Sequence, residues 1–428
     1  MNILFLSSKS PYPIKDGHSM RTFNLLKRMA KNHRIFLLTY FLSRDEEEEF
    51  EELKKICFFA EGFKLTIDGS PLLLTISLFK NLFSSLPFVA QKYRSREMLT
   101  RIEQILLNEK IDLIHVDILP LMNYSAAFRH YPVLLVEHNV ESLLLRRRIT
   151  HTRNLILKFF LWLQYVKLSL FETKHIGSAD CVAAVSEEER EILTAMNHNA
   201  RVELVPNGVD SDFFQPAAED KAQNSIIFVG GLNWFPNLDG ISYFCEQIQP
   251  VIRLRAGEFA TVIVGKEDKG FHYANSITQT GFVKDIRPFV YAAKVFIVPL
   301  RIGGGTRLKI LDAMAMGKAI VSTSIGCEGL EVKNVIHLII EDDPRRFAEA
   351  IVELFVNDQK RLALGKNARQ LVEEKYDWGI IARGLDGIYE NLSKKNVRNL
   401  RTIYFLWKAG KRRFTALNVR GNEAQGAG

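Results

Sequence analysis

Short apolar runs alternate with helix-length amphipathic stretches along this chain, and past the middle the alternation starts again. NILFLS (2–7) is followed by a segment with Met20, Phe23, Leu26 and Ala30 on one face, then by RIFLLTY (34–40). Repetition of this kind predicts βαβ units and a parallel sheet. Further strands are predicted at LIHV (113–116), VLLVE (133–137), CVAAV (181–185) and VELVP (202–206). After a polar stretch the rhythm resumes with IIFVG (226–230), TVIVG (261–265), VFIVPL (295–300) and AIVST (319–323). A chain of 428 residues exceeds what one core supports, so the restart predicts an α/β protein of two Rossmann-like domains. The expected boundaries are 1–206 for the first domain, 207–224 for a linker and 225–375 for the second domain. A helical segment (376–394) and a basic tail (395–428) follow, the last dozen residues expected to be disordered.

A net charge of +8 favours an anionic partner but does not choose among nucleic acid, acidic lipid and phosphorylated small molecules. Dispersed basic residues without a recognised binding module set nucleic acid aside. Cys57, Cys181, Cys245 and Cys327 form no CxxC pair and read as buried thiols in a reducing compartment, hence a cytoplasmic protein. Four consecutive apolar residues at the amino terminus are too few for a signal-peptide core and read as a first strand. LLLTISLF (72–79) is too short to span a bilayer, and Lys158, Gln164 and Lys167 interrupt LILKFFLWLQYVKLSLF (155–171). Both lie in segments mixing aromatic, aliphatic and basic residues, which leaves two readings open. One is peripheral contact with an anionic membrane on its cytoplasmic face, and the other is buried helices with snorkelling cations.

The densest chemistry lies in VPLRIGGGTRLKILDAMAMGKA (298–319). A strand ends at Pro299 and Leu300, Gly303, Gly304 and Gly305 form a tight loop, and Thr306 is placed to N-cap a helix. Arg307 and Lys309 would then stand in a first helical turn, where cations are unfavourable unless an anion such as a diphosphate joins them. The competing reading is a plain turn with a surface ion pair between Lys309 and Asp312. His138 directly follows a strand, where an imidazole either hydrogen-bonds a sugar hydroxyl or is an ordinary satisfied polar group. SPYPIKDGHSMR (10–21) places Gly17 in a loop after strand one without a GxGxxG fingerprint. The DxD triplet Asp210-Ser211-Asp212 lies in a Pro/Asn/Gly-rich linker and reads as a turn.

VPNGVD (205–210), the segment 281–323 from GFVKDIRPF to AIVST, GCEGL (326–330) and YDW (376–378) together resemble family 4 of the retaining glycosyltransferases. The resemblance covers about residues 1–394 and is closest to a branch with GGGTRLKILEAMA-like sequences. It implies the GT-B fold: two facing Rossmann-like domains with parallel sheets, an interdomain cleft and a crossover helix (376–394) returning to the first domain. It also implies transfer of a hexose from a nucleotide diphosphate sugar to a glycan or lipid-linked saccharide acceptor in cell-surface or exopolysaccharide biosynthesis. No metal and no cofactor beyond the donor are implied.

By position, Arg307 and Lys309 resemble the cations on the leaving diphosphate and Asp312 the acid on the ribose. The backbone at Val283 corresponds to the contact with the base, and Gly303, Gly304, Gly305 and Thr306 to the donor loop. His138 corresponds to a histidine beside the transferred sugar, with partial positive character, and Gly17 and Arg21 to the glycine loop and arginine of the first domain. Three departures stand out. Gly304 replaces the first acid of the family's Glu-x7-Glu pair, Asp312 is one methylene shorter than the second, and GGLNWFPNLDG (230–240) lacks the usual cations, leaving that charge to Arg307 and Lys309. The rivals are a catalytically weak nucleotide-sugar-binding subunit and a nucleotide-sugar epimerase on the same fold.

Overall fold

The computed structural model of the chain describes residues 1–65, 71–220, 222–267, 277–302 and 308–394. Gly303, Gly304, Gly305, Thr306 and Arg307, and the tail 395–428, lie outside the described residues.

The first sheet comprises β1 (Asn2–Leu6), β2 (Arg34–Phe41), β3 (Phe59–Lys64), β4 (Leu113–Val116), β5 (Val133–Glu137), β6 (Cys181–Ala184) and β7 (Val202–Leu204). The second comprises β8 (Gln223–Val229), β9 (Ala260–Val264), β10 (Ile277–Gln279), β11 (Ala293–Val298), β12 (Ala319–Ser322) and β13 (Ile339–Ile340). Helices that bear on the site are α1 (Gly17–Met29), α2 (Pro71–Leu82), α3 (Glu141–His151), α4 (Leu155–Ser178), α5 (Phe235–Tyr243), α6 (Leu308–Ala315) and α7 (378–394).

Strand order is β3-β2-β1-β4-β5-β6-β7 in one sheet and β10-β9-β8-β11-β12-β13 in the other. Every strand pair is parallel, as the βαβ rhythm requires. Each order reverses once, between β1 and β4 and between β8 and β11, and such reversals open a crevice at the strands' carboxyl ends. The strands that periodicity missed are β3, β10 and β13, all at sheet edges. Edge strands need not be apolar on both faces, and β3 carries Glu61 and Gly62 while β10 and β13 have only three and two residues.

The inner strands are buried because helices cover both faces. Ile114, Leu135 and Phe36 pack on one side of the first sheet with Met98 and Phe128, while Ile3, Phe5 and Leu113 pack on the other. Trp378, Ile381, Leu385, Tyr389 and Leu392 of α7 belong to that second cluster, so the last described helix completes the core of the first sheet. A separate cluster built on Ile226, Phe228, Phe296 and Ile320 forms the core of the second sheet.

Candidate active site

The loop after β1 turns into α1 through a reciprocal cap: the Asp16 carboxylate accepts from the Ser19 amide at 3.0 Å, and Ser19 Oγ accepts from the Asp16 amide at 3.0 Å. This fixes His18 in the first turn. Asp117 follows β4 directly and is 1% exposed, its own amide tied to Leu6 O. The reversal between β1 and β4 therefore brings together two residues far apart in sequence: His18 Nε2 donates to Asp117 Oδ2 at 3.0 Å. Thr22 Oγ1 donates to the same oxygen at 2.7 Å.

His138, at the end of β5, donates Nε2–H to the backbone oxygen of Asp117 at 2.7 Å and lies 3.4 Å from Asp117 Oδ1. Its ring stacks on His18 with centroids 4.3 Å apart. Behind them His115 Nε2 stands 3.7 Å from Asp117 Oδ1, and its Nδ1 meets the Tyr389 hydroxyl of α7 at 2.6 Å. The crossing helix thus buttresses the cluster from below.

Burial alone would push the Asp117 carboxyl up, but hydrogen bonding from His115, His138 and His18 outweighs it and holds the group well below the usual carboxylate range. Burial, reinforced by the neighbouring His18, pushes His138 down to about 4. Burial outweighs the opposing pull of the Asp117 carboxylate, so His138 is a neutral imidazole in the free protein. Among the described residues, His18, Asp117 and His138 are the one His/carboxylate trio within ligating reach of one another. In this arrangement the nitrogen that His138 turns to the trio is engaged by the Asp117 carbonyl, so the three side chains stand as a hydrogen-bonded network.

Arg21 takes a different place from a sugar or phosphate contact. Its guanidinium is buried and donates to Val205 O at 2.7 Å, Pro206 O at 2.6 Å and Asn207 Oδ1 at 3.1 Å. It ties α1 to the chain leaving the first sheet. The DxD triplet forms a turn in which Asp210 Oδ1 accepts from the Phe213 amide and Ser211 Oγ donates to Asp377 at 2.6 Å.

In the second sheet, Lys309 in the first turn of α6 reaches the loop after β8. Its ammonium donates to Asn237 Oδ1 at 2.9 Å and lies 4.2 Å from the centre of the Phe228 ring. Gly230, with φ +153°, leaves room for it, since a Cβ there would come within 2.6 Å of Nζ. The cation missing from 230–240 is thus supplied by α6 at that same loop. Asn237 also donates to Gly231 O at 2.9 Å, holding the loop closed.

Asp312 lies one turn further along α6. No described residue hydrogen-bonds its carboxylate, and burial pushes it up to about 7. Lys309 makes its contact with Asn237 and not the surface ion pair with Asp312 of the competing reading. Val283 packs against the core of the second sheet beyond the Gly265–Gly281 bridge, which joins the ends of β9 and β10.

The two halves meet at Gly17, where a Cβ would stand 3.0 Å from Leu308 Cδ1. The start of α1, carrying His18, therefore abuts the start of α6, carrying Lys309. Sequence reading brought forward His138, Gly17, Lys309 and Asp312 but missed His18, Asp117, His115, Asn237 and Tyr389. His18 and Asp117 were accessible in principle, because each follows a strand that flanks the reversal in strand order.

The sequence matches the family model described as Glycosyltransferase Family 4 over residues 15–213 and the one described as Glycosyl transferases group 1 over residues 223–357. It is 22% identical over 396 residues to an uncharacterized 44.6 kDa protein in the cps region of Klebsiella pneumoniae, covering 88% of this chain and 96% of that one. It is 27% identical over 241 residues to a GDP-mannose-dependent alpha-(1-6)-phosphatidylinositol monomannoside mannosyltransferase of Mycobacterium tuberculosis, covering 50% of this chain and 62% of that one. Among solved structures, Anabaena HepE in complex with UDP and glucose superimposes with a TM-score of 0.60 at 15% identity, covering 91% of this chain and 100% of that one. Sucrose-phosphate synthase of Thermosynechococcus elongatus gives 0.63 at 17% identity, covering 92% and 99%. At these identities the likeness is one of fold, and that fold is GT-B.

Proposed function

The chain belongs to the glycosyltransferases of group 1 and family 4, and from that premise we propose that it transfers a hexose, with retention at the anomeric carbon, from a nucleotide diphosphate sugar to a saccharide hydroxyl. The observation that carries this reading is the contact of Gly17 with Leu308, which sets the polar cluster of the first sheet against the cationic helix start of the second. In this reading the second sheet holds the donor. Lys309, with Arg307 beside it in sequence, faces the diphosphate, Asp312 accepts from the ribose hydroxyls, and the base lies by Val283. Gly303, Gly304, Gly305 and Thr306 belong to the same loop.

Transfer proceeds at the front face. The acceptor oxygen forms its bond to the anomeric carbon as the bond to the diphosphate oxygen breaks, and the acceptor proton passes to the departing diphosphate. Lys309 supplies preorganised positive charge where negative charge develops. His138, neutral and fixed by the Asp117 carbonyl, positions the hexose through its remaining nitrogen. His18, with Nε2 held by Asp117, has Nδ1 left to accept a hydrogen bond from a neighbouring hydroxyl of the acceptor and so orient the attacking one. A glycan or a lipid-linked saccharide serves as acceptor, and the relative in a cps region supports a role in surface polysaccharide synthesis. The donor is a uridine or guanosine diphosphate sugar, as the names of the mannosyltransferase relative and of the HepE complex suggest.

A thermal-shift screen of UDP- and GDP-sugars, followed by NMR assignment of the product's anomeric configuration, tests the reading. A donor-specific shift with a retained configuration is expected. An inverted product would overturn the front-face course, and the absence of any nucleotide-sugar shift would overturn the donor site.

A further inference from the structure

Helices α2 and α4 meet where α2 ends. Gln164 Nε2 donates to Asn81 Oδ1 at 2.8 Å, Lys167 Nζ donates to Asn81 O at 2.7 Å, and Gln164 Oε1 accepts from the Phe88 amide at 2.8 Å. These polar ties join the end of α2 to the middle of α4, and apolar side chains on both segments remain uncovered. Phe79, Phe83, Leu155, Ile156, Phe159 and Trp162 are each more than half exposed, Phe83 and Ile156 by 82% and 83%. They include two ring pairs: Phe79 meets Phe83 edge-on at 5.7 Å and Phe159 stacks with Trp162 at 6.0 Å. Single exposed apolar residues are ordinary, but a cluster of this kind marks an interaction surface.

Charge identifies what covers it. Between Glu141 and Glu172 there is no acidic residue, while Arg146, Arg147, Arg148, Arg153, Lys158 and Lys167 all fall there. Residues 71–96 likewise contain Lys80, Lys92, Arg94 and Arg96 and no acid. The two segments that carry the patch are thus apolar and aromatic with cations and no acid between them, which complements an anionic bilayer. Among the described residues no helix is long and apolar enough to cross a membrane, so contact through this face leaves the protein lying on the surface.

A groove of about 480 Å³ opens between α3 and α4 beside this face. Phe88, Val89, Leu144, Leu157 and Phe160 line it, and Arg148, exposed to solvent, stands on its wall. Glu141 also lines it, three residues after His138 of the active site. The lining chemistry suits a hydrocarbon chain whose anionic head pairs with Arg148.

We propose that the α2–α4 face docks on an anionic membrane leaflet and that the α3–α4 groove receives a hydrocarbon chain of the lipid-linked acceptor. The assignment of the chain to an acceptor rests on the transferase reading above, whereas the docking itself does not. Loss of a lipid contact and loss of donor binding are therefore separately measurable.

The test is co-sedimentation of the full chain with vesicles of phosphatidylcholine alone or with about one third phosphatidylglycerol, alongside quenching of tryptophan fluorescence by brominated acyl chains. Binding to the anionic vesicles, weakened by salt, is expected. Phe159→Ser/Trp162→Ser should lower it at least tenfold, and Arg146→Ser/Arg147→Ser should lower it for anionic vesicles only. Donor-induced thermal shifts should be unchanged in both, since none of these residues touches the donor site. For the groove, farnesyl phosphate is the probe: its binding should be lost in Leu144→Trp, which fills the groove, and weakened in Arg148→Ser. Equal sedimentation of wild type and Phe159→Ser/Trp162→Ser would overturn docking through this face, as would a stable dimer in solution that loses its partner in the same variant. Farnesyl phosphate binding untouched by Leu144→Trp would overturn the groove assignment.

Discussion

His18 Nε2 lies 3.0 Å from Asp117 Oδ2, although 99 residues separate them in the chain. The carboxylate fixes which imidazole nitrogen carries the proton, and the other is left to meet a hydroxyl. Asp117→Asn keeps the shape but removes the charge that enforces this tautomer. Turnover should fall on the order of 100-fold, while the donor-induced thermal shift persists. A variant that loses donor binding in parallel would show that Asp117 holds the fold rather than the reacting geometry.

Lys309 contacts Asn237 across the second sheet's own reversal point. Lys309→Ala should weaken UDP or GDP about 10- to 100-fold, the scale of one charge-assisted contact of about 1.5–3 kcal/mol. Binding of the nucleoside without phosphate should stay unchanged. Titration calorimetry with both ligands separates a diphosphate contact from a general loosening of α6.

Asp312 sits in the free protein with its carboxyl pushed up to about 7. Two ribose hydroxyls donating to it would favour the anion, so nucleotide binding at pH 7 should release up to about half a proton. Calorimetry in two buffers of different ionisation enthalpy measures this release, which Asp312→Asn should abolish.

Acid stability depends on the same imidazoles. His138 falls from its ordinary 6.5 to about 4 in the folded protein, so the unfolded state binds its proton first. The resulting stability is present above pH 6.5 and lost as the pH falls through about 4, on the order of 3 kcal/mol in all. Asp117, also held down, shares the sign, its contribution vanishing at still lower pH. Urea unfolding between pH 7 and 4 should show this decline, and His138→Asn should flatten it.

Arg21 donates to two backbone oxygens and one side-chain amide oxygen from a buried position. Arg21→Met removes the donors and leaves those carbonyls unsatisfied, which should cost about 2–4 kcal/mol. If Arg21 instead bound substrate, stability would hold and KM would rise.

The two-sheet architecture was legible because fully buried parallel strands announce themselves as unbroken apolar runs, as in Leu113–Val116 and Val133–Glu137. The edge strands were not, since Glu61 and Gly62 need no apolar neighbours at a sheet margin. Within the site, Lys309 and Asp312 were legible from their place in a helix start after glycines. The partners of Arg21 were not legible, because a cation near a glycine loop looks the same in sequence whether it faces a ligand or carbonyl oxygens. Asp117 was missed for a related reason: its meaning comes from His18, His115 and His138, which only strand order gathers around it.

Strand β1 and helix α7 share one core, with Ile3 and Phe5 packed in the same cluster as Leu385, Tyr389 and Leu392. During synthesis, then, β1 emerges long before the helix that completes its core, and that half of the molecule cannot close until α7 follows. The second domain, with its own apolar core, has no such wait. The order of emergence along the chain is thus reversed in the order of completion, and an amino-terminal fragment ending near residue 206 would carry an uncovered sheet face into solution.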